Sequence, residues 1–262
     1  MWTIGIPEKK ELFRSGEFDL NKRSPLYRGL IGFWPLRPNS GHAKDYSATR
    51  NHGIRAASTP FSTTVVKDRH WGPLTALTFS GVANRRFGLK EFTPTDGLSI
   101  LARISFTGSG TRTIFSNQRQ RLILTSAHTL QYDPNIGAGA TYTYATPLVS
   151  STPYFVAVTQ DASTNYAMYL DSAVVSSGTS EAFGTTPLAS WIGSFHSSPQ
   201  SSFTGEIWDV RVYNRALTQE EVILSYRKPW EIISPTQQRP SLLAIRGEEE
   251  EMMTRSSYFL LF

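Results

Sequence analysis

The chain has 262 residues, a formal net charge of +5, 18% charged and 12% aromatic residues, and no cysteine. Without thiols there can be no disulfides and no thiolate metal sites. Few charges beside plentiful Gly, Pro, Ser and Thr fit many short strands joined by turns better than a helical bundle.

In chain order, residues 1–23 form a polar arm of mixed charge with no sustained period. Its opening, MWTIGIPEKKELFRSG, lacks an apolar run of signal-peptide length, and no segment approaches a membrane span. Synthesis in a cytoplasm is therefore expected. Residues 24–228 carry the strands, beginning with GLIGFWPL at Gly29–Leu36 and followed by the loop DYSATRNHG at Asp45–Gly53. In LSILARISF, Leu98, Ile100, Ala102, Ile104 and Phe106 share one face. Ser99, Arg103 and Ser105 share the other, with Leu101 as the exception, which reads as a half-buried strand. RLILT, TYTYA and ASWIGSF are further strands, and YFVAVTQ and YAMYLD flank the turn residues DASTN as a hairpin. SSFTGEIWDVRVYNRALTQEEV, Ser201–Val222, joins a turn at Gly205 to a last strand. Trp34, Trp208, Val210 and Val212 are assigned to the core, with Asp209 and Arg211 facing away from Trp208. A helix follows in TQEEVILSYR, with Thr218 and Glu221 spaced for a capping box and Val222, Ile223 and Tyr226 on one face. Pro229 ends it. Residues 229–262 form a second arm with an acidic run, Glu248–Glu251, and the apolar end YFLLF.

Lys and Arg are scattered, the densest group being Arg112, Arg119 and Arg121, so no basic–aromatic stripe marks a nucleic-acid groove. Retaining glycan hydrolysis needs two carboxyls about 5–5.5 Å apart. The acidic pair on a predicted strand, Glu206 and Asp209, is three apart and so expected on opposite faces. No Gly-x-Ser-x-Gly elbow, phosphate-binding glycine loop or paired-histidine zinc motif occurs, and His42, His52, His70, His128 and His196 are scattered. No catalytic residues are assigned, and an enzyme is not expected. Tyr142 and Tyr144 share a strand face and could form a sugar platform extended by Tyr132 and Trp191. The same pattern would serve as a wall of the core.

Ser201–Val222, together with Gly29–Leu36 and Asp45–Gly53, resembles the last and first strands of the laminin G-like (concanavalin A-like) jelly-roll family, over roughly Ser24 to Arg227. The resemblance implies an all-β, two-sheet antiparallel jelly-roll sandwich with one short C-terminal helix and extended terminal arms. Members mostly bind sugars or proteins. In related jelly-rolls an ion site joins the first loop to the last strand, which maps here onto Asp45, Asn51 and Asp209 as oxygen ligands for a structural calcium. SATRN replaces the usual Ser-Gly-x-Gly-Asn pattern, and the alternative is that Asp45 and Asn51 stabilise a turn. No other cofactor is required.

SPLYRGLIGFWPL at Ser24–Leu36 and SYRKPWEIISP at Ser225–Pro235 resemble laminin G-like proteins encoded by bacteriophages and prophages. This implies a virion protein, a capsid decoration, fibre or tail component and a homo-oligomer, whose arms lie across other virion proteins. Trp230, Tyr258, Phe259 and Phe262 are its candidate anchors, and adhesion to glycans fits the display. A lectin-like carbohydrate-binding module is the alternative, and a glycoside hydrolase is disfavoured.

Overall fold

The computed structural model describes residues 18–36, 42–55, 61–68, 72–81, 86–92, 94–117, 119–137, 139–182, 188–195 and 201–235. In chain order the strands are β1 (Phe18–Leu20), β2 (Leu30–Pro35), β3 (His42–Ala43), β4 (Gly53–Arg55), β5 (Ser62–Asp68), β6 (Gly72–Ser80), β7 (Phe87–Phe92), β8 (Gly97–Phe106) and β9 (Arg112–Ser116). There follow β10 (Arg121–Leu124), β11 (Leu130–Asp133), β12 (Tyr142–Tyr144), β13 (Tyr154–Asp161), β14 (Asn165–Leu170), β15 (Ala173–Thr179), β16 (Leu188–Ile192), β17 (Thr204–Tyr213), helix α1 (Gln219–Arg227) and β18 (Ile233–Pro235).

Two antiparallel sheets face each other. One runs β12-β11-β10-β9-β16-β7-β4-β3. The other runs β15-β14-β13-β8-β17-β6-β5, with β2 also paired to β17. The expected hairpin is present: β13 and β14 pair antiparallel, and the Asp161 carboxylate accepts from the Asn165 amide at 2.8 Å across the turn. Between the sheets lie the inward residues of each period-two pattern. Ile100, Ile104, Val156, Val158, Val210 and Val212 meet Phe87, Ile114, Phe115, Leu122 and Leu124. Each fully buried side chain of this kind contributes about 1.5–3 kcal/mol.

The outer face of the β8–β17 sheet is also covered. Phe33, Leu101, Phe155, Trp208 and Tyr213 pack beneath Leu217, Val222, Ile232, Ile233 and Phe18. All ten residues of β8 are buried, so this strand is not half-buried as its alternation suggests. Leu101, the exception to that alternation, belongs to the outer cluster.

The polar residues on this face hold the covering layer in place. The Ser99 hydroxyl donates to the Arg215 carbonyl at 2.7 Å and accepts from the Leu217 amide at 2.9 Å. Arg103 donates to the Tyr226 carbonyl at 2.7 Å, with its guanidinium 5.2 Å from the Phe155 ring. Arg211 pairs with Asp209 at 2.8 Å and donates to the Pro229 carbonyl at 3.1 Å. Both arginines thus reach carbonyls at the end of α1 and just past it, where a helix leaves its acceptors unpaired and favours positive charge.

The start of α1 has the capping box expected from its sequence, with Glu221 N–H to Thr218 Oγ1 at 3.3 Å and Thr218 N–H to Glu221 Oε2 at 2.9 Å. Burial alone would raise the Glu221 carboxyl, but Arg215, at 2.6 Å, and the Thr218 amide hold it below its ordinary value. The helix buries Val222 and Ser225, with Tyr226 packed alongside. Ile223, expected on the buried face, is only half-buried and outside the outer cluster.

A register shift between Ile207 and Asp209 against β8 changes the phase of β17. Trp208 consequently joins the outer cluster, on the same side as Asp209 and Arg211 rather than opposite them. Trp34, Val210 and Val212 keep their places between the sheets.

The near ends of both arms are part of the domain. β1 pairs antiparallel with β18 in the register Phe18↔Pro235, Asp19↔Ser234, Leu20↔Ile233. Among the described residues no helix is long and apolar enough to cross a membrane.

Gly205 has φ +129°, and a Cβ there would lie 2.2 Å from the Ser105 carbonyl oxygen. Gly205→Ala is therefore expected to lower stability by about 2 kcal/mol or more in urea denaturation. An unchanged midpoint would contradict the close approach of β17 to β8.

Candidate functional site

The loop between β3 and β4 is organised around one carboxylate. Asp45 is buried, and its Oδ1 accepts from the amides of Phe33 at 2.9 Å and Ser47 at 2.8 Å. Its Oδ2 accepts from the Asn51 amide at 2.7 Å and the Ser47 hydroxyl at 2.8 Å, and the Thr49 hydroxyl lies 2.9 Å away. Asn51 is clamped to β7, accepting from the Lys90 amide at 2.6 Å and donating to its carbonyl at 3.0 Å. The Asn51 carbonyl accepts from the Trp34 indole at 2.8 Å.

This donor set fits a hydrogen-bonded turn better than a calcium site. The Asp45 lone pairs are already engaged by N–H and O–H donors. Asn51 is spent on β7, and Asp209 is paired with Arg211. Among the described residues no group of three or more His, Cys, Asp and Glu could hold a metal ion.

The register shift in β17 also changes the reading of its two acids. Glu206 pairs with Ser105, which lies between the inward-facing Ile104 and Phe106, so Glu206 faces outward. Asp209 faces outward as well, and the expectation of opposite faces fails because the bulge adds one residue to the alternation. Their surroundings differ. Asp209 is tied to Arg211, whereas burial raises the Glu206 carboxyl above its ordinary value despite a hydrogen bond from Ser105.

The four aromatics considered as a sugar platform are separated by burial. Tyr132 is fully buried, its hydroxyl donates to Gln160 Oε1 at 2.7 Å, and burial raises its pKa. Trp191 is buried too. Neither extends a surface platform. Tyr142 and Tyr144 are half-buried on β12, at the edge of its sheet. Tyr142 packs on Tyr166 with ring centroids 4.3 Å apart, and its hydroxyl accepts from the Glu181 amide at 3.1 Å.

Of the proposed anchors, Trp230 packs against the outer cluster of its own domain. Tyr258, Phe259 and Phe262, and the histidines His70 and His196, lie outside the described residues.

One feature had no signal in the sequence. A cleft of about 1050 Å³ opens between the Asp45 loop and the β1–β18 ribbon, bordered by Asp19, Lys22, Arg23, Tyr46 and Arg50. Its walls come from residues far apart in sequence, so no local motif marks it.

A model of the concanavalin A-like lectin/glucanases superfamily matches residues 81–223. No curated protein sequence matches the chain. Solved structures share the fold at low identity. One is from work on the cell entry of botulinum neurotoxin type C, dependent on two ganglioside molecules, with TM-score 0.55 and 11% identity over 76% of this chain and 51% of that one. This chain thus spans about half of that relative's length. Another is a Trypanosoma rangeli sialidase in complex with a difluoro-KDN ligand, with TM-score 0.56 and 14% identity over 85% of this chain and 38% of that one. Domain 4 of AbnA, an extracellular arabinanase from Geobacillus stearothermophilus in complex with arabinotriose, has TM-score 0.54 and 14% identity over 74% of this chain and 96% of that one.

Asp45→Ala leaves several buried amides without an acceptor and is expected to cost at least about 2 kcal/mol by urea denaturation. A chelator should leave the melting temperature of the unmutated protein unchanged, whereas a clear drop on chelation would restore calcium to the loop. Glu206 carries its own pH signature. A carboxyl with a raised folded pKa loses stability as pH rises through that value, so Glu206→Gln is expected to be more stable than the unmutated chain at neutral pH. The difference should vanish in acid, where both side chains are neutral. A less stable Gln variant at neutral pH would contradict the assignment.

Proposed function

This chain belongs to the concanavalin A-like lectin/glucanases superfamily, and we propose that within it the chain is a non-enzymatic structural protein of a bacteriophage virion. It serves as a capsid decoration, fibre or tail component, with the sandwich displayed and the terminal segments attaching it to neighbouring subunits. The observation that carries this reading is the pairing of β1 with β18. That ribbon brings residues 215 positions apart, such as Asp19 and Ser234, side by side, so both terminal segments start from one place on the domain. The segments Ser24–Leu36 and Ser225–Pro235, which carry the resemblance to phage-encoded proteins, support the same reading, since they build the surroundings of the ribbon. The chemistry agrees, because Asp209, the acid on the same face as Glu206, is buried and paired with Arg211.

Adhesion to glycans is compatible with this role. It is supported by the arabinotriose-bound relative and by the half-exposed Tyr142 and Tyr144 on an edge strand.

Removing residues 236–262 is expected to leave the sandwich folded, because every described strand pairing lies within residues 18–235. The same truncation should abolish incorporation into particles. Truncated protein found in particles at full occupancy would overturn the attachment role.

A further inference from the structure

The cleft beside the β1–β18 ribbon carries uncompensated positive charge. Lys22, Arg23 and Arg50 are exposed on its rim, and among the described residues none of the three side chains makes an ion pair or hydrogen bond. Asp19 is the one carboxylate among the described lining residues. Arg50 is held at φ +49°, a conformation uncommon for a side chain of its size, by a loop whose centre is the buried Asp45. Three like charges kept around one open volume repel one another and call for an anionic occupant.

Stacking contributes little to what that occupant could be. Phe18 stacks on the Tyr46 ring with centroids 4.5 Å apart, and Lys44 Nζ lies 4.5 Å from the same centroid. Tyr46 therefore has no free face for a sugar or a base, and among the described lining residues only Tyr27 remains. Charge complementarity, rather than ring recognition, decides the fit.

The sequence holds one segment of matching chemistry, the run Glu248–Glu251. We infer that this cleft is the docking site for the chain's own acidic run. Ser234 lines the cleft and the chain continues from Pro235, so the tether starts at the rim of the site. Residues 236–247 intervene, and at about 3.3–3.6 Å per residue they can span up to roughly 40 Å. Tethering makes the encounter intramolecular, which offsets the weakness of individual exposed ion pairs. The contact is a self-docking latch beside the attachment ribbon, and an acidic partner surface could displace it. It does not depend on the partner's being a virion protein.

The test is zero-length carbodiimide cross-linking of the full chain at low salt, read by mass spectrometry on a mixture of isotopically light and heavy protein. The expected product joins Lys22 to one of Glu248–Glu251 within a single copy, with its yield lost on adding salt. It should also be lost in the variant R23E/R50E. A second variant, with all four glutamates changed to Gln, should gain binding of a synthetic peptide spanning residues 245–254, which the unmutated chain excludes. Absence of the Lys22 link, or links formed solely between light and heavy copies, would overturn the inference. So would polysialic acid binding at the cleft to both proteins equally while the peptide binds neither, which would assign the cleft to an anionic glycan.

Discussion

The constraint on which this structure depends is that its central strands are covered on both faces. β8 has no solvent face: Ile100 and Ile104 enter the space between the sheets, and Leu101 enters the layer beneath α1. A strand buried in this way must satisfy every polar side chain internally. Ser99, Arg103 and Arg211 each place a donor on a carbonyl of the covering layer, those of Arg215, Tyr226 and Pro229. These bonds run from the sheet to acceptors of the cover, so sheet and cover are positioned together.

The cover leads to the ends of the chain. Phe18, Ile232 and Ile233 close the outer cluster, and the strands of Phe18 and Ile233 pair as the β1–β18 ribbon. Packing that completes the core therefore also gathers the two terminal segments. The Asp45 loop joins from the side, since its carboxylate accepts from Phe33 on β2 and its neighbour Tyr46 stacks on Phe18. Attachment, cleft and core closure thus share one region of the molecule, and the carboxylate most central to that region serves as an organiser of backbone amides.

Much of the fold was legible because period-two alternation and turn chemistry are local. The β13–β14 hairpin around Asp161 and the capping box of Thr218 and Glu221 follow from adjacent residues alone. Alternation could not tell a solvent face from one covered by a third layer, which is why Arg103 and Ser105 read as outward and exposed but are buried. Nor could it foresee the bulge in β17, where one added residue moved Trp208 to the outer side and put Glu206 and Asp209 on one face. The candidate sites were less legible, since burial decides them. Tyr132 and Tyr142 look equivalent in sequence, yet one is sealed beneath Gln160 and the other sits at a sheet edge. The cleft was invisible because Lys22, Arg50 and Ser234 are brought together only by the ribbon.

The measurement that bears most directly on the account is cryo-electron microscopy of assembled particles carrying this protein. The ribbon end of each sandwich is expected to face the particle, with density for both terminal segments running from Phe18 and Pro235 onto neighbouring subunits. A sandwich attached through the opposite end, with the ribbon and both terminal segments facing solvent, would contradict it.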